Sequence, residues 1–136
     1  MRPPEEVKRD MVRQWLAKAD EDLDAAEYLS SRERSFFSAI GFHCQQAAEK
    51  HLKAFLTWHQ IEYPKTHDLG LLLSLIATAD TALADSLTEV PALNTYGVDM
   101  RYPGDAPELT REDANEGLRL ANKVKKAINL ILKDHI

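Results

Sequence analysis

Apolar residues recur along this chain at the spacing of helix faces, and nowhere do β-branched residues alternate with polar ones at the two-residue period of a half-buried strand. The first periodic stretch, about residues 7–30, places Val12, Trp15, Leu16, Ala19, Leu23 and Ala26 on one side, with Lys18, Glu21, Asp24 and Glu27 mostly elsewhere. The second runs from about 35 to 60. At about 100° per residue its Phe37, Ile40, Cys44, Ala47, Ala48, His51 and Phe55 fall within one sector, which predicts the core face. An end near Gln60 is expected, because Pro64 biases Tyr63 away from the helical region and cannot continue the ladder. After the turn Tyr63-Pro64-Lys65-Thr66-His67-Asp68, a third helix carries Leu69, Leu72, Leu73 and Ile76, with Thr66 as its expected N-cap and Asp68 in its first turn. A fourth segment, about 80–96, holds Leu83, Leu87, Val90 and Leu93 and is kinked or split at Pro91. Thr110 and Asp113 form a capping pair opening a last helix that runs to about His135 through Ala114, Leu118, Ala121, Val124, Ile128 and Ile131 or Leu132. Ser30 to Arg34 and Gly97 to Pro107 read as connections. Three long helices and two shorter ones predict an all-α fold, an antiparallel up-and-down bundle of four to five helices.

Composition narrows the class of protein. A length of 136 residues fits one domain, spanning 1–136 with a core of about 8–133. A single cysteine forms no internal bridge, and together with the charged decapeptide MRPPEEVKRD and the lack of any long apolar run it leads to the expectation of a cytoplasmic protein without a membrane span. Seventeen Lys+Arg against 22 Asp+Glu give a net charge of −5, which argues against extended DNA binding, a process driven by neutralising phosphates over a basic surface.

The spacing of reactive side chains excludes several chemistries. His43, His51, His59 and His67 recur every eight residues; eight residues turn a helix by about 80°, so the series spirals and no metal is expected. No GxGxxG, GxxxxGK[ST] or GxSxG motif occurs. Cys44 falls on the core face, where a thiol is inert packing, and His51 reads as a hydrogen-bonded core or subunit-interface histidine. Glu49 reads as a solvated helix charge. On a sector beside the core face, His43, Gln46, Lys50 and Lys53 share a stripe that suits an anionic ligand, or alternatively a merely solvated face. The turn around Lys65 and His67, and the segment Asp99 to Asp105 with Arg101 and Tyr102, bracket the short helices as candidate binding loops; the structural alternative is Asp68 capping a helix and Arg101 in an interhelical salt bridge.

Taken together, Trp15, Ala19 and Asp22-Leu23, the run Phe42-His43-Cys44-Gln45-Gln46-Ala47-Ala48-Glu49-Lys50-His51-Leu52-Lys53-Ala54, then Lys65-Thr66-His67-Asp68-Leu69, then Arg101-Tyr102-Pro103 resemble the HEPN family, the "higher eukaryotes and prokaryotes nucleotide-binding" domain, over about residues 8–133. The resemblance implies a helical bundle, usually a homodimer, operating beside a minimal nucleotidyltransferase partner in toxin–antitoxin or defence modules. It also implies, for many members, a metal-independent endoribonuclease whose site is an Arg followed four to six residues later by a His. That motif is absent here: no arginine has a His five to seven positions ahead, and the nearest pair is Arg34 and His43. The expectation is therefore a non-catalytic module without cofactor or metal. His43, Gln46, Lys50, Lys53, Lys65, His67, Arg101 and Tyr102 are its candidates for contact with a nucleotide, RNA or partner. The alternatives are a divergent ribonuclease toxin using His43 or His67 as acid/base with Arg101, and a purely structural partner subunit.

Overall fold

The computed structural model describes residues 2–97 and 108–136, and among them every regular element is helical. In chain order these are α1 (Pro4–Ser30), α2 (Phe37–Trp58), α3 (Leu69–Ala77), α4 (Thr81–Ser86), a 3₁₀ helix (Val90–Gly97) and α5 (Arg111–Leu132). α1 starts with Pro4, whose missing N–H is an orphan at that position in any case, and it carries Glu5 and Glu6 in its first turn. Its buried residues Val12, Leu16, Ala19, Leu23 and Ala26 step by four and three, the stripe the periodicity predicts. α5 buries Ala114, Ala121, Val124, Ile128 and Leu132 as expected, and Leu120 with them, while Leu118 lies at the margin.

α2 is the central helix: α1, α3, α5 and the 3₁₀ helix all pack on it. Its predicted core face is buried from Ile40 through Phe55, and Phe37 at its start is half-buried. Because neighbours cover it on most sides, Gln45, Glu49 and Lys53 are buried as well.

The local signals differ in places from the sequence expectations. Asp68, not Thr66, caps α3: its Oδ1 accepts from the N–H groups of Gly70 and Leu71, while the Thr66 hydroxyl accepts from the Asp68 N–H. α2 ends without help from Pro64. Gln60 adopts a left-handed φ of 56°, and the Ile61 N–H reaches back to the carbonyl of Leu56 at 2.9 Å, which closes the helix. The fourth segment does divide, into α4 and the 3₁₀ helix, with the break at 87–89 and Pro91 second in the 3₁₀ helix. Thr110 and Asp113 form the anticipated reciprocal capping box. Among the described residues, no helix is long and apolar enough to cross a membrane.

Candidate functional site

The turn between α2 and α3 folds back over the side of α2 that carries Gln45, Glu49 and Lys53, one helical turn apart from each other. Glu49, with its side chain 4% exposed, is the hub. Its Oε2 accepts from Lys53 Nζ at 2.9 Å. Its Oε1 accepts from Gln45 Nε2 at 3.2 Å and from His67 Nδ1 at 2.7 Å. Gln45 Nε2 also donates to the backbone carbonyl of His67, and Gln45 Oε1 accepts from Gln46 Nε2. Gly97 backs this arrangement: a Cβ there would stand 2.7 Å from Gln45 Cδ. The 3₁₀ helix is tied to α3 by Asn94, whose Oδ1 accepts from the Leu69 N–H.

An ionised carboxylate only accepts hydrogen bonds, so His67 donates to it through Nδ1, and Nε2 lies on the other edge of the ring. The His67 side chain is 74% exposed. A buried anion thus orients an imidazole whose other edge faces solvent, an arrangement suited to accepting or delivering a proton or to gripping a polar ligand. Lys65, two residues earlier, is exposed. Lys53 is buried, with its ammonium 5.6 Å from the Trp15 ring centroid and 5.9 Å from that of Tyr63.

The other half of the predicted stripe faces α1. Asp22 Oδ1 accepts from His43 Nδ1 at 2.9 Å, and Lys50 donates to Oδ2 of the same residue. The four stripe residues therefore divide: His43 and Lys50 join Asp22, whereas Gln46 and Lys53 join the Gln45–Glu49 network. Arg101 and Tyr102 lie outside the described residues. Of the described residues near them in sequence, Gly97 lies against Gln45, and Leu109 Cδ1 would stand 2.6 Å from a Cβ on Gly41.

The expectation for Glu49 is corrected: it is a buried hydrogen-bonding centre, not a solvated charge. Its signal was present as Gln45, Glu49 and Lys53 at successive i,i+4 positions, the spacing at which polar side chains meet on a helix. Cys44 is fully buried, and burial pushes its thiol up to about 12. His51 is likewise buried, donating from Nδ1 to the Ala47 carbonyl at 2.9 Å. Its Nε2 has no hydrogen-bond partner and stands 3.7 Å from Asp20 Oδ1. Among the described residues, no three His, Cys, Asp or Glu side chains group so as to hold a metal.

Comparison with known proteins bears on this geometry. The profile of the family described as HEPN domain matches residues 12–131. The crystal structure of an archaeal HEPN homologue is similar at a TM-score of 0.61 and 28% sequence identity, over 86% of this chain and 97% of that one. No curated protein matches.

Proposed function

This chain belongs to the HEPN family, and from that footing we propose that it is a nucleotide- or RNA-binding module without catalysis of its own, acting in the cytoplasm as a homodimer beside a minimal nucleotidyltransferase partner of a toxin–antitoxin or defence system. The observation that carries this reading is the Glu49–His67 pair at 2.7 Å, which holds an exposed imidazole edge on the α2–α3 turn with Lys65 beside it. His67 and Lys65 contact the ligand's phosphate or base. Arg101 and Tyr102 are further candidates for contact with it, and Gln46 borders it. His43, Lys50 and Lys53, each already matched to a carboxylate, shape the local field and are not themselves ligand contacts. Titration of the full chain with ATP, GTP and short RNA should give a saturable signal that weakens in His67→Ala and Lys65→Ala. Silence at millimolar ligand removes the reading, and co-purification from the native host with mass spectrometry tests the partner.

The same pair favours a second reading, a divergent endoribonuclease. A carboxylate bonded to Nδ1 sets the tautomer and stabilises the imidazolium, as general acid/base catalysis requires, and Arg101 would meet the charge developing on the phosphate. His43 suits this role less, since it is only 30% exposed and clamped between helices. RNA cleavage in the presence of a chelator, abolished by His67→Ala and reduced in a folded Glu49→Gln variant, would establish it.

A further inference from the structure

The arginines among the described residues fall into two groups. Arg2, Arg13 and Arg119 are paired with carboxylates, and Arg9 donates to the backbone carbonyl of His135. Arg32, Arg34 and Arg111 have no carboxylate partner among the described residues. Each is held instead against an aromatic ring: Arg32 is 5.7 Å from the Tyr28 centroid, Arg34 5.2 Å from Phe36, and Arg111 5.0 Å from Phe37. In a chain of net charge −5, unmatched guanidinium groups gathered at one end of the bundle need a reason.

They also share one space. A narrow cleft between the α1–α2 connection and the start of α5, too tight to admit a water molecule, is lined by Arg32, Arg34, Phe37, Arg111 and Asn115. Arg32 and Arg34 also line an open groove of about 480 Å³, together with Ser31, Glu33 and Phe36. A guanidinium set against a ring and not against a carboxylate leaves its N–H fork without an anionic partner, and that fork matches two oxygens of a phosphate. The rings limit the motion of the side chains, so less entropy is lost on binding. Glu33 is the one acid lining the groove, against two arginines there and a third in the cleft.

We infer that the mouth of this arginine cleft, where Arg32 and Arg34 face the open groove, is a phosphate-binding site, taking the phosphate group of a nucleotide or of an RNA strand. It is separate from the His67 turn: Phe37 and Glu49 are twelve residues apart on α2, about 18 Å of helix. Its ligand meets guanidinium N–H groups, whereas the turn offers an imidazole and an ammonium.

The test uses the full chain, with calorimetry and NMR of backbone amides and arginine Nε–H groups. The probes are inorganic phosphate, AMP, and a ten-nucleotide RNA with and without a 5′ phosphate. The expected result is saturable binding of at least one probe that shifts the resonances of Arg32, Arg34 and Arg111 and the amides of Phe36 and Phe37. Arg34→Ala and Arg111→Ala should each weaken it about tenfold or more, as loss of a charged hydrogen bond does. Arg111→Lys should recover part of the loss, and Glu33→Gln should tighten binding. Response to phosphate and AMP marks a terminal phosphate as the ligand; response to both RNAs alike marks the internal diester. Binding at the cleft should persist in His67→Ala, so failure here and failure of the turn site are separable. Absence of saturable shifts with every probe at millimolar concentration overturns the inference. So does undiminished binding in Arg34→Ala and Arg111→Ala chains whose helical circular dichroism is unchanged.

Discussion

Two clusters flank α2, and in composition they are near copies. In each, one carboxylate grips one histidine through Nδ1 and one lysine: Asp22 holds His43 and Lys50, and Glu49 holds His67 and Lys53. Their surroundings set them apart. The Asp22 cluster bridges two long helices, with His43 30%, Lys50 22% and Asp22 13% exposed. In the Glu49 cluster the carboxylate and the lysine are 4% and 8% exposed while the histidine, on a turn, is 74% exposed. The first is a clamp. The second uses a buried ion pair as a foundation for a side chain offered to solvent. What distinguishes a structural polar cluster from a candidate site here is where each member's backbone comes from, not which residue types are present.

The largest difference should appear on removing the two carboxylates. Glu49→Ala leaves Lys53 buried without its anion and frees the Gln45 and His67 donors, a loss of about 3–5 kcal/mol by analogy with broken buried ion pairs. Asp22→Ala leaves partners that water reaches, and the cost should be about 1–2 kcal/mol. Urea unfolding of both variants measures this directly. Equal losses would show that burial does not separate the clusters.

A smaller effect tests whether the second cluster is held in place by its surroundings. Gly97→Ala puts a Cβ 2.7 Å from Gln45 Cδ. Gln45 is only 1% exposed and bonded at both ends, so it moves only by giving up contacts to Glu49, Gln46 or the His67 carbonyl. Overpacking of this kind costs about 1–3 kcal/mol. The expected signature is a lowered melting temperature together with altered His67 imidazole resonances, and unchanged resonances for His43.

These contrasts show which parts of the molecule are legible in sequence. The apolar faces of α1, α2 and α5 could be read because burial there follows the 3.6-residue period. The capping box at Thr110 and the break just before Pro91 follow from chemistry confined to a few neighbouring residues. The stripe on α2 could be read as polar but not divided. His43 and Lys50 find their anion on α1, 28 positions away for Lys50, and Lys53 owes its burial to elements that wrap α2 from elsewhere in the chain. Glu49 departs from its expectation for the same reason, since periodicity ranks faces by hydropathy and the cover over this side of α2 comes from elsewhere in the chain. The unmatched arginines of the α1–α2 connection carry no periodic signal at all.

A further histidine, the second on α2, extends the comparison, because no carboxylate bonds to it. His51 has Nδ1 on the Ala47 carbonyl, and Nε2 faces Asp20 at 3.7 Å, while Lys125 lies 3.2 Å from that same Asp20 oxygen. Burial is the main cause that holds its pKa below the ordinary histidine value, with Lys125 adding to the depression and the Ala47 bond and Asp20 opposing it. Above about pH 7 the ring is neutral folded and unfolded, and it contributes nothing to pH dependence. As pH falls below about 6.5 the unfolded chain takes up the proton first, so stability drops until the folded ring also protonates, by no more than about 1.4 kcal/mol per pH unit. Denaturation at pH 7.5 and 5.5 should show a smaller acid loss in His51→Leu than in the parent chain. An identical loss would assign the titration to other groups.

The smallest effect on stability belongs to the residue on which the functional reading depends. His67→Ala removes a side chain that is mostly in water, and Glu49 keeps Lys53 and Gln45, so the folding free energy should change by less than about 0.5 kcal/mol. His43→Ala strips a half-buried ring from between α1 and α2 and should cost somewhat more, about 0.5–1 kcal/mol. Binding of the phosphate-bearing probes at the turn should show the reverse order, weakened by His67→Ala and indifferent to His43→Ala. A clamp and a foundation predict opposite rankings of the same two substitutions in the two assays. Parallel rankings would mean that the exposure of His67 is incidental, and that the Glu49 cluster, like its counterpart on α1, only holds helices together.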